Sequence, residues 1–108
     1  MVTETDCAWT AEIVDGEGCL GIYKNGRGTF RMRPILQVGN TDMRMIERLH
    51  DLWGGVFFES TRRDRPRSKR IWSWHLYGMG LLRALEMIRP YLVCKAEKAE
   101  TILTWANR

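Results

Sequence analysis

The sequence predicts an α+β fold: a twisted antiparallel sheet with helices on one face, in the order αββαββα plus a terminal helix. Two observations predict it. Strand-like alternating segments occur in two pairs, and each pair is followed by an amphipathic helical segment. Turn chemistry separates the members of each pair. The 108 residues carry no linker, low-complexity tract or sequence repeat, so one domain over residues 1–108 is expected.

The elements follow in order. Cys7 to Val14 reads as a short helix capped by Asp6, with Ala8, Ala11 and Val14 at helical spacing. Glycines from Gly16 onward should end it, with a Gly past the helix free to take positive φ. Gly18 to Lys24 reads as a strand, and Asn25-Gly26-Arg27-Gly28 as a hairpin turn. Thr29 to Val38 alternates. Phe30, Met32, Leu36 and Val38 share one face, while Thr29, Arg31, Arg33 and Gln37 share the other. Pro34 should confine this strand to an edge or a bulge.

Asn40 or Thr41 can cap a second helix to about Leu52, with Met45, Ile46, Leu49, Leu52 and Trp53 as its stripe and Gly54-Gly55 as its stop. Val56 to Arg62 is a third strand, and Arg63 to Lys69 a basic loop. Arg70 to Tyr77 alternates again, with Trp72, Trp74 and Leu76 opposite Ile71, Ser73 and His75. The two Trp read as core rather than base-stacking groups. A third helix spans about Leu81 to Ile88, Pro90 interrupts, and a last one runs from about Val93 to Ala106. Its stripe is Ala96, Ala99, Ile102, Leu103 and Ala106.

Charge is segregated along the chain. The net charge is +4, but Lys24 to Arg70 holds twelve Lys/Arg against five Asp/Glu, and the remainder is acidic. Thirteen of the seventeen bases are Arg, whose planar fork clamps phosphates and reads guanine edges. This suggests a nucleic-acid surface; a solvated basic face is the plainer alternative. Cys7, Cys19 and Cys94 are three and widely spaced, with no CxxC pair, and His50 and His75 are isolated. That argues against a structural zinc site and fits free thiols in a reducing cytoplasm. No apolar run suits a membrane span, and the N-terminus lacks a secretory signal pattern.

The segment Asp15-Gly16-Glu17-Gly18 is the chemical focus. Glu17 projects from a helix end at the start of a strand, where a carboxylate can help hold a hard divalent cation. Locally, a helix cap followed by a solvated Glu explains the same residues.

Ala11-Glu12-Ile13-Val14-Asp15-Gly16-Glu17-Gly18, followed by a hairpin, resembles the motif of the LAGLIDADG homing endonucleases. Leu36-Gln37-Val38-Gly39-Asn40-Thr41 is similar to that family's second strand, and the stretch Arg89 to Glu100 to its C-terminal block. The similarity runs from about Ala8 to Leu103. A single motif copy points to the homodimeric branch.

The resemblance implies a site-specific double-strand DNA endonuclease that cleaves a long pseudo-palindromic site. The sheets of two subunits would form a saddle in the major groove. Motif helices would pack at the centre, with Trp9, Ala11, Glu12, Ile13 and Asp15 at the dimer interface. Glu17 and Gly16 would bind Mg²⁺, a site that Ca²⁺ can fill without supporting cleavage. Glu17, Lys95, Asn40 and Arg44 would serve catalysis. Asp15 would have mainly a capping or interface role. Glu12 departs from the family by replacing a small residue in the motif. By alternation, Cys19, Tyr23, Arg31, Arg33, Ile35, Gln37, Phe58, Ser60, Arg62, Ser73 and His75 would face double-stranded DNA. The tip residues Asn25, Arg27, Arg67 and Lys69 would reach outer bases or phosphates. A non-catalytic binding protein on the same fold, an intron maturase or a DNA-binding regulator, is the alternative.

Overall fold

The computed structural model describes residues 1–24, 32–60 and 70–107. The elements run α1 (Glu4–Glu17), β1 (Gly18–Lys24), β2 (Met32–Asn40), α2 (Met43–Trp53), β3 (Val56–Ser60), β4 (Ile71–Tyr77) and α3 (Gly78–Ile88). A 3₁₀ turn, Arg89–Tyr91, and α4 (Ala96–Ala106) complete the chain. The strands form one antiparallel sheet in the order β1-β2-β4-β3. The architecture is the α+β arrangement expected from the alternation and helical periods.

Alternation divides the sheet into two faces. Leu20, Leu36, Val38, Trp74 and Leu76 are buried, with Ile22, Phe57 and Trp72 packed at the margin. The helices cover this face and add Ala11, Val14, Ile46, Leu49, Leu81, Leu85, Ile88, Ala99 and Ile102 to the same core. Trp74 is fully buried and its indole N–H donates to the Gly54 carbonyl at 2.8 Å, so the bulkiest core side chain leaves no polar atom unpaired.

Pro34 lies in a central strand, not at an edge. It pairs with Ile22 of β1, while β4 pairing begins only at Ile35. On the β4 side β2 is still unpaired at Pro34, so the missing N–H breaks no bond there.

Helix α1 begins and ends beyond its expected limits. Thr3 is the N-cap. Its hydroxyl accepts from the Asp6 amide at 3.1 Å, and the Asp6 carboxylate accepts from the Thr3 amide at 3.0 Å. Asp6 is therefore the third helical residue of a reciprocal capping box. The Thr3 amide and then its hydroxyl, followed by Arg48, hold the Asp6 carboxyl below its usual range. That contribution to stability is present above the unfolded value near 3.8 and is lost as pH falls through the lower folded value. The helix passes through Gly16 to Glu17. Helix α2 is likewise capped by Asp42, which accepts from the Arg44 amide, rather than by Asn40 or Thr41. Its stop is as expected, with Gly54 at φ 81° and Gly55 at φ 83°.

The glycine at the end of α1 serves close approach, not positive φ. Gly18 has φ −80°, and a Cβ there would sit 2.8 Å from the Val14 carbonyl oxygen and 2.9 Å from Val14 Cα. A Cβ on Gly16 would meet nothing within 4 Å. Gly18→Ala should therefore lower stability by about 1–3 kcal/mol through overpacking. Gly16→Ala should raise it by about 0.4–1 kcal/mol, because helical Ala loses less chain entropy on folding. Urea unfolding of the two variants checks this; equal losses at both positions would contradict it.

Candidate metal-dependent nucleic-acid site

The α1 terminus is tied to the segment before α4 by one carboxylate. Asp15 Oδ2 accepts from the Val93 amide at 2.7 Å and Oδ1 from the Lys95 amide at 3.0 Å. The Lys95 ammonium then donates to the Asp15 carbonyl at 3.0 Å. Charge-assisted bonds from two backbone donors to one carboxylate fix a geometry that either partner alone would leave free. They place the Lys95 ammonium against the last turn of α1, two residues before Glu17.

Glu17 is exposed at the helix end. Its Oε2 accepts from Asn40 Nδ2 at 2.8 Å. The other end of the Asn40 amide is also engaged, Oδ1 accepting from the Asp42 amide at 2.7 Å. That second bond fixes which end of the amide faces Glu17. The end of β2 thus presents a donor to the carboxylate at the end of α1. Of the four residues expected to serve catalysis, Glu17, Asn40 and Lys95 gather around this terminus.

Arg44, the fourth, is engaged by the cap of α2. Its guanidinium grips Asp42 through Nε at 3.1 Å and Nη2 at 3.0 Å, with the side chain 89% exposed. The helix cap itself thus supplies the counter-ion. Each partner stabilises the other's charged form: Arg44 lowers the Asp42 carboxyl, and Asp42 raises the guanidinium.

Among the described residues no cluster of three or more His, Cys, Asp or Glu could enclose a metal. The exposed Glu17 carboxylate beside the Gly16 backbone offers hard oxygen donors to one side of an ion. That donor set fits Mg²⁺ or Ca²⁺, which keep waters and share substrate phosphates, and not a zinc cage.

The expected interface residues of α1 separate by facing. Ala11 and Ile13 are 0% and 8% exposed in the chain's own core, so neither lies on the helix's outer side. At 100° per residue, the outer ridge is Ala8, Glu12 and Gly16, all exposed, with Asp15 half-buried beside it. Glu12 therefore stands on this ridge. Trp9 is half-buried under the Arg48 guanidinium, whose Cζ lies 5.0 Å from the ring centroid.

The open sheet face carries the outward strand residues in register. One row crosses all four strands: Cys19, Gln37, His75 and Val56. Beside it lie Gly21, Ile35 and Tyr77, then Tyr23 and Arg33. On the other side lie Gly39, Ser73 and Phe58, then Ile71 and Ser60. Cys19, Tyr23, Arg33, Ile35, Gln37, Phe58, Ser60, Ser73 and His75 therefore share one face, as the alternation predicts. Asn25, Arg27, Arg31, Arg62, Arg67 and Lys69 lie outside the described residues. Cys19 Sγ and the Tyr23 hydroxyl share a 3.4 Å hydrogen bond across Gly21, which raises the Tyr23 phenol. Burial lowers the His75 imidazole, favouring its neutral form.

Sequence reasoning missed Tyr77 and Val56 on this face. The signal was present, since both continue the alternation of their strands. Arg33 Cζ lies 4.7 Å above the Tyr77 ring, a cation–π contact that orders the guanidinium. The capping box was also legible, in the Thr-x-x-Asp spacing from Thr3.

Asp15→Asn should lower stability by about 1–3 kcal/mol, because one of the two acceptor oxygens becomes an NH₂ that faces a backbone N–H. Hydrogen exchange at the Val93 and Lys95 amides should accelerate more than exchange in β2 or β4. Unchanged protection at those two amides would remove the clamp from this description.

No sequence profile of a protein family matches the chain, and no curated protein matches it in sequence. Solved structures do match. The homing endonuclease I-CvuI, in complex with its target in the presence of Ca, superposes with a TM-score of 0.75 at 23% identity. The match covers 94% of this chain and 65% of that one, so this chain spans about two thirds of its length. The archaeal intron-encoded homing endonuclease I-Vdi141I, complexed with DNA, gives 0.74 at 14% identity over 96% and 68%. The LAGLIDADG homing endonuclease I-GzeII, in complex with a DNA target, gives 0.61 at 17% over 94% and 36%. With a four-stranded antiparallel sheet, helices on one side and a helix-end acid leading into the first strand, this chain has the fold of the LAGLIDADG homing endonucleases.

Proposed function

We propose that this chain is one subunit of a homodimeric, Mg²⁺-dependent, site-specific DNA endonuclease. The observation that carries the reading is the arrangement at the end of α1. An exposed Glu17 is held by Asn40, and the Lys95 ammonium is fixed against the same helix turn. This lies at the margin of the open sheet face.

Each group has a chemical task. Glu17 and the Gly16 backbone would hold the ion, with Asn40 fixing one carboxylate oxygen. A Mg²⁺ held there would supply charge neutralisation and an acidified water for phosphodiester hydrolysis. The Lys95 ammonium offsets negative charge that builds on the phosphate. Asp15 positions that ammonium without touching substrate. The outward strand residues grip and read the major groove, with Arg33 held in place by Tyr77.

One subunit supplies one such acid, and cutting both strands needs two. The second comes from a copy packed through the outer ridge of α1, where Gly16 is uncovered. Twofold symmetry then implies a pseudo-palindromic site of roughly two helical turns, about 20 base pairs. The competing reading is a binding protein without cleavage. The engagement of Arg44 by Asp42 favours it, because one expected active-site cation is already paired.

Glu17→Gln should abolish cleavage of a selected duplex while leaving binding intact or slightly tighter, since one negative charge near phosphate is lost. Lys95→Met should slow cleavage with a smaller effect on binding. Full nicking activity in Glu17→Gln would refute the proposed role of Glu17, and no cleavage by the parent would favour the binding-protein reading. Gly16→Ala, which should not harm the isolated fold, should weaken dimerisation on DNA. Sedimentation showing an unaltered dimer would place the interface elsewhere.

A further inference from the structure

Among the described residues, Arg33 is the one cation at an outward position of the open sheet face. No outward position there carries Asp or Glu, and burial favours the neutral form of His75. Glu59 of β3 has the opposite parity and is engaged by Arg70 at 3.4 Å. Arg33 is exposed, and no described residue accepts a hydrogen bond from its guanidinium. A surface that grips phosphates needs several cations. One cation among neutral hydroxyl and amide groups suits base edges better.

The fold also fixes how this guanidinium is held. Arg33 lies two residues before Ile35, where β2 begins to pair with β4 opposite Tyr77. Gly78, at φ 66°, turns the chain out of the sheet directly after Tyr77, so no β4 residue stands opposite Arg33. The Tyr77 ring occupies that flank instead, with Arg33 Cζ 4.7 Å from its centroid. On the other side, Tyr23 is the cross-strand partner of Arg33. Its ring leans along β1 over Gly21, with the hydroxyl 3.4 Å from Cys19 Sγ. One aromatic face therefore backs the guanidinium. A planar fork held in one orientation matches the paired acceptors O6 and N7 of guanine in the major groove. Adenine presents a donor where guanine presents O6, so the same fork rejects it.

We propose that Arg33, positioned by the Tyr77 ring, selects guanine at one symmetric pair of positions in the target. This rests on the DNA-reading function proposed above and names the base that this end of β2 recognises.

The test uses the full chain with duplexes recovered by binding selection from a randomised library in Ca²⁺. Each guanine is then replaced singly by 7-deazaguanine, which removes the N7 acceptor and keeps Watson–Crick pairing. Affinity should fall about tenfold at one symmetric pair of positions, the ratio expected when part of one bidentate contact is lost. Arg33→Lys should abolish the response to that replacement. Tyr77→Leu, which keeps apolar cover without a ring, should weaken guanine-over-adenine discrimination there about threefold and leave other positions unchanged. Tyr77→Phe should keep the discrimination. An enriched target without a symmetric pair of guanines, or tolerance of 7-deazaguanine at every guanine, would overturn the proposal. So would a sensitive pair that responds equally in the parent and in Arg33→Lys. Arg33→Lys weakening every duplex by the same factor, random ones included, would make Arg33 a phosphate contact and overturn it too. Tyr77→Leu discriminating as well as the parent would overturn the role of Tyr77. A selection that enriches no sequence would refute the DNA-reading function itself, and this proposal with it.

Discussion

The Asp15 carboxylate is the constraint on which the candidate site depends. Asp15 and the amides it binds are 78 and 80 residues apart in sequence, and its two oxygens fix the chain's path into α4. The same residue's carbonyl receives the Lys95 ammonium. One side chain therefore sets both where α1 ends and which cation stands beside that end. Gly18 completes the geometry by bringing β1 against the Val14 backbone, closer than any Cβ permits. Glu17 then falls between helix and strand, within reach of Asn40.

The sheet turns this local geometry into a surface. Its inner face is sealed by Trp74, Leu36 and Leu76 under the helices, so the outward residues are left in fixed cross-strand rows. Pairing across β1, β2 and β4 sets Cys19, Gln37 and His75 side by side. Tyr77 orders Arg33, and His75 supports Phe58. Such preorganisation matters for recognition, because a side chain already held in place loses less entropy on binding. The Glu17 terminus leads directly into β1 of this sheet, so under the proposed function one duplex meets both.

Much of this was legible in the sequence because alternation and helical spacing are local. The bounds of β1 follow from Gly18 and the period-two pattern, and the facing of Arg33, Gln37, Ser73 and His75 follows from parity. The departures share a different cause. Asp6 looks like a cap because Asp favours caps, yet Thr3 three residues earlier completes the box. Ala11 and Ile13 are apolar on a helix flanked by both a core and a possible partner, and composition does not say which they meet. Arg44 pairs with Asp42, two residues away on the cap, a contact that i, i+4 spacing does not suggest. The Asp15 clamp is non-local and leaves no local sequence signal.

The most direct test of the central claim is to sequence the ends generated when the purified chain acts on randomised duplex DNA. The reaction is run in Mg²⁺ and in Ca²⁺. A metal-dependent centre at Glu17 predicts one enriched pseudo-palindromic sequence, cut on both strands at symmetric positions in Mg²⁺ and bound uncut in Ca²⁺. Ends that arise equally in both ions, or without any sequence preference, would contradict it.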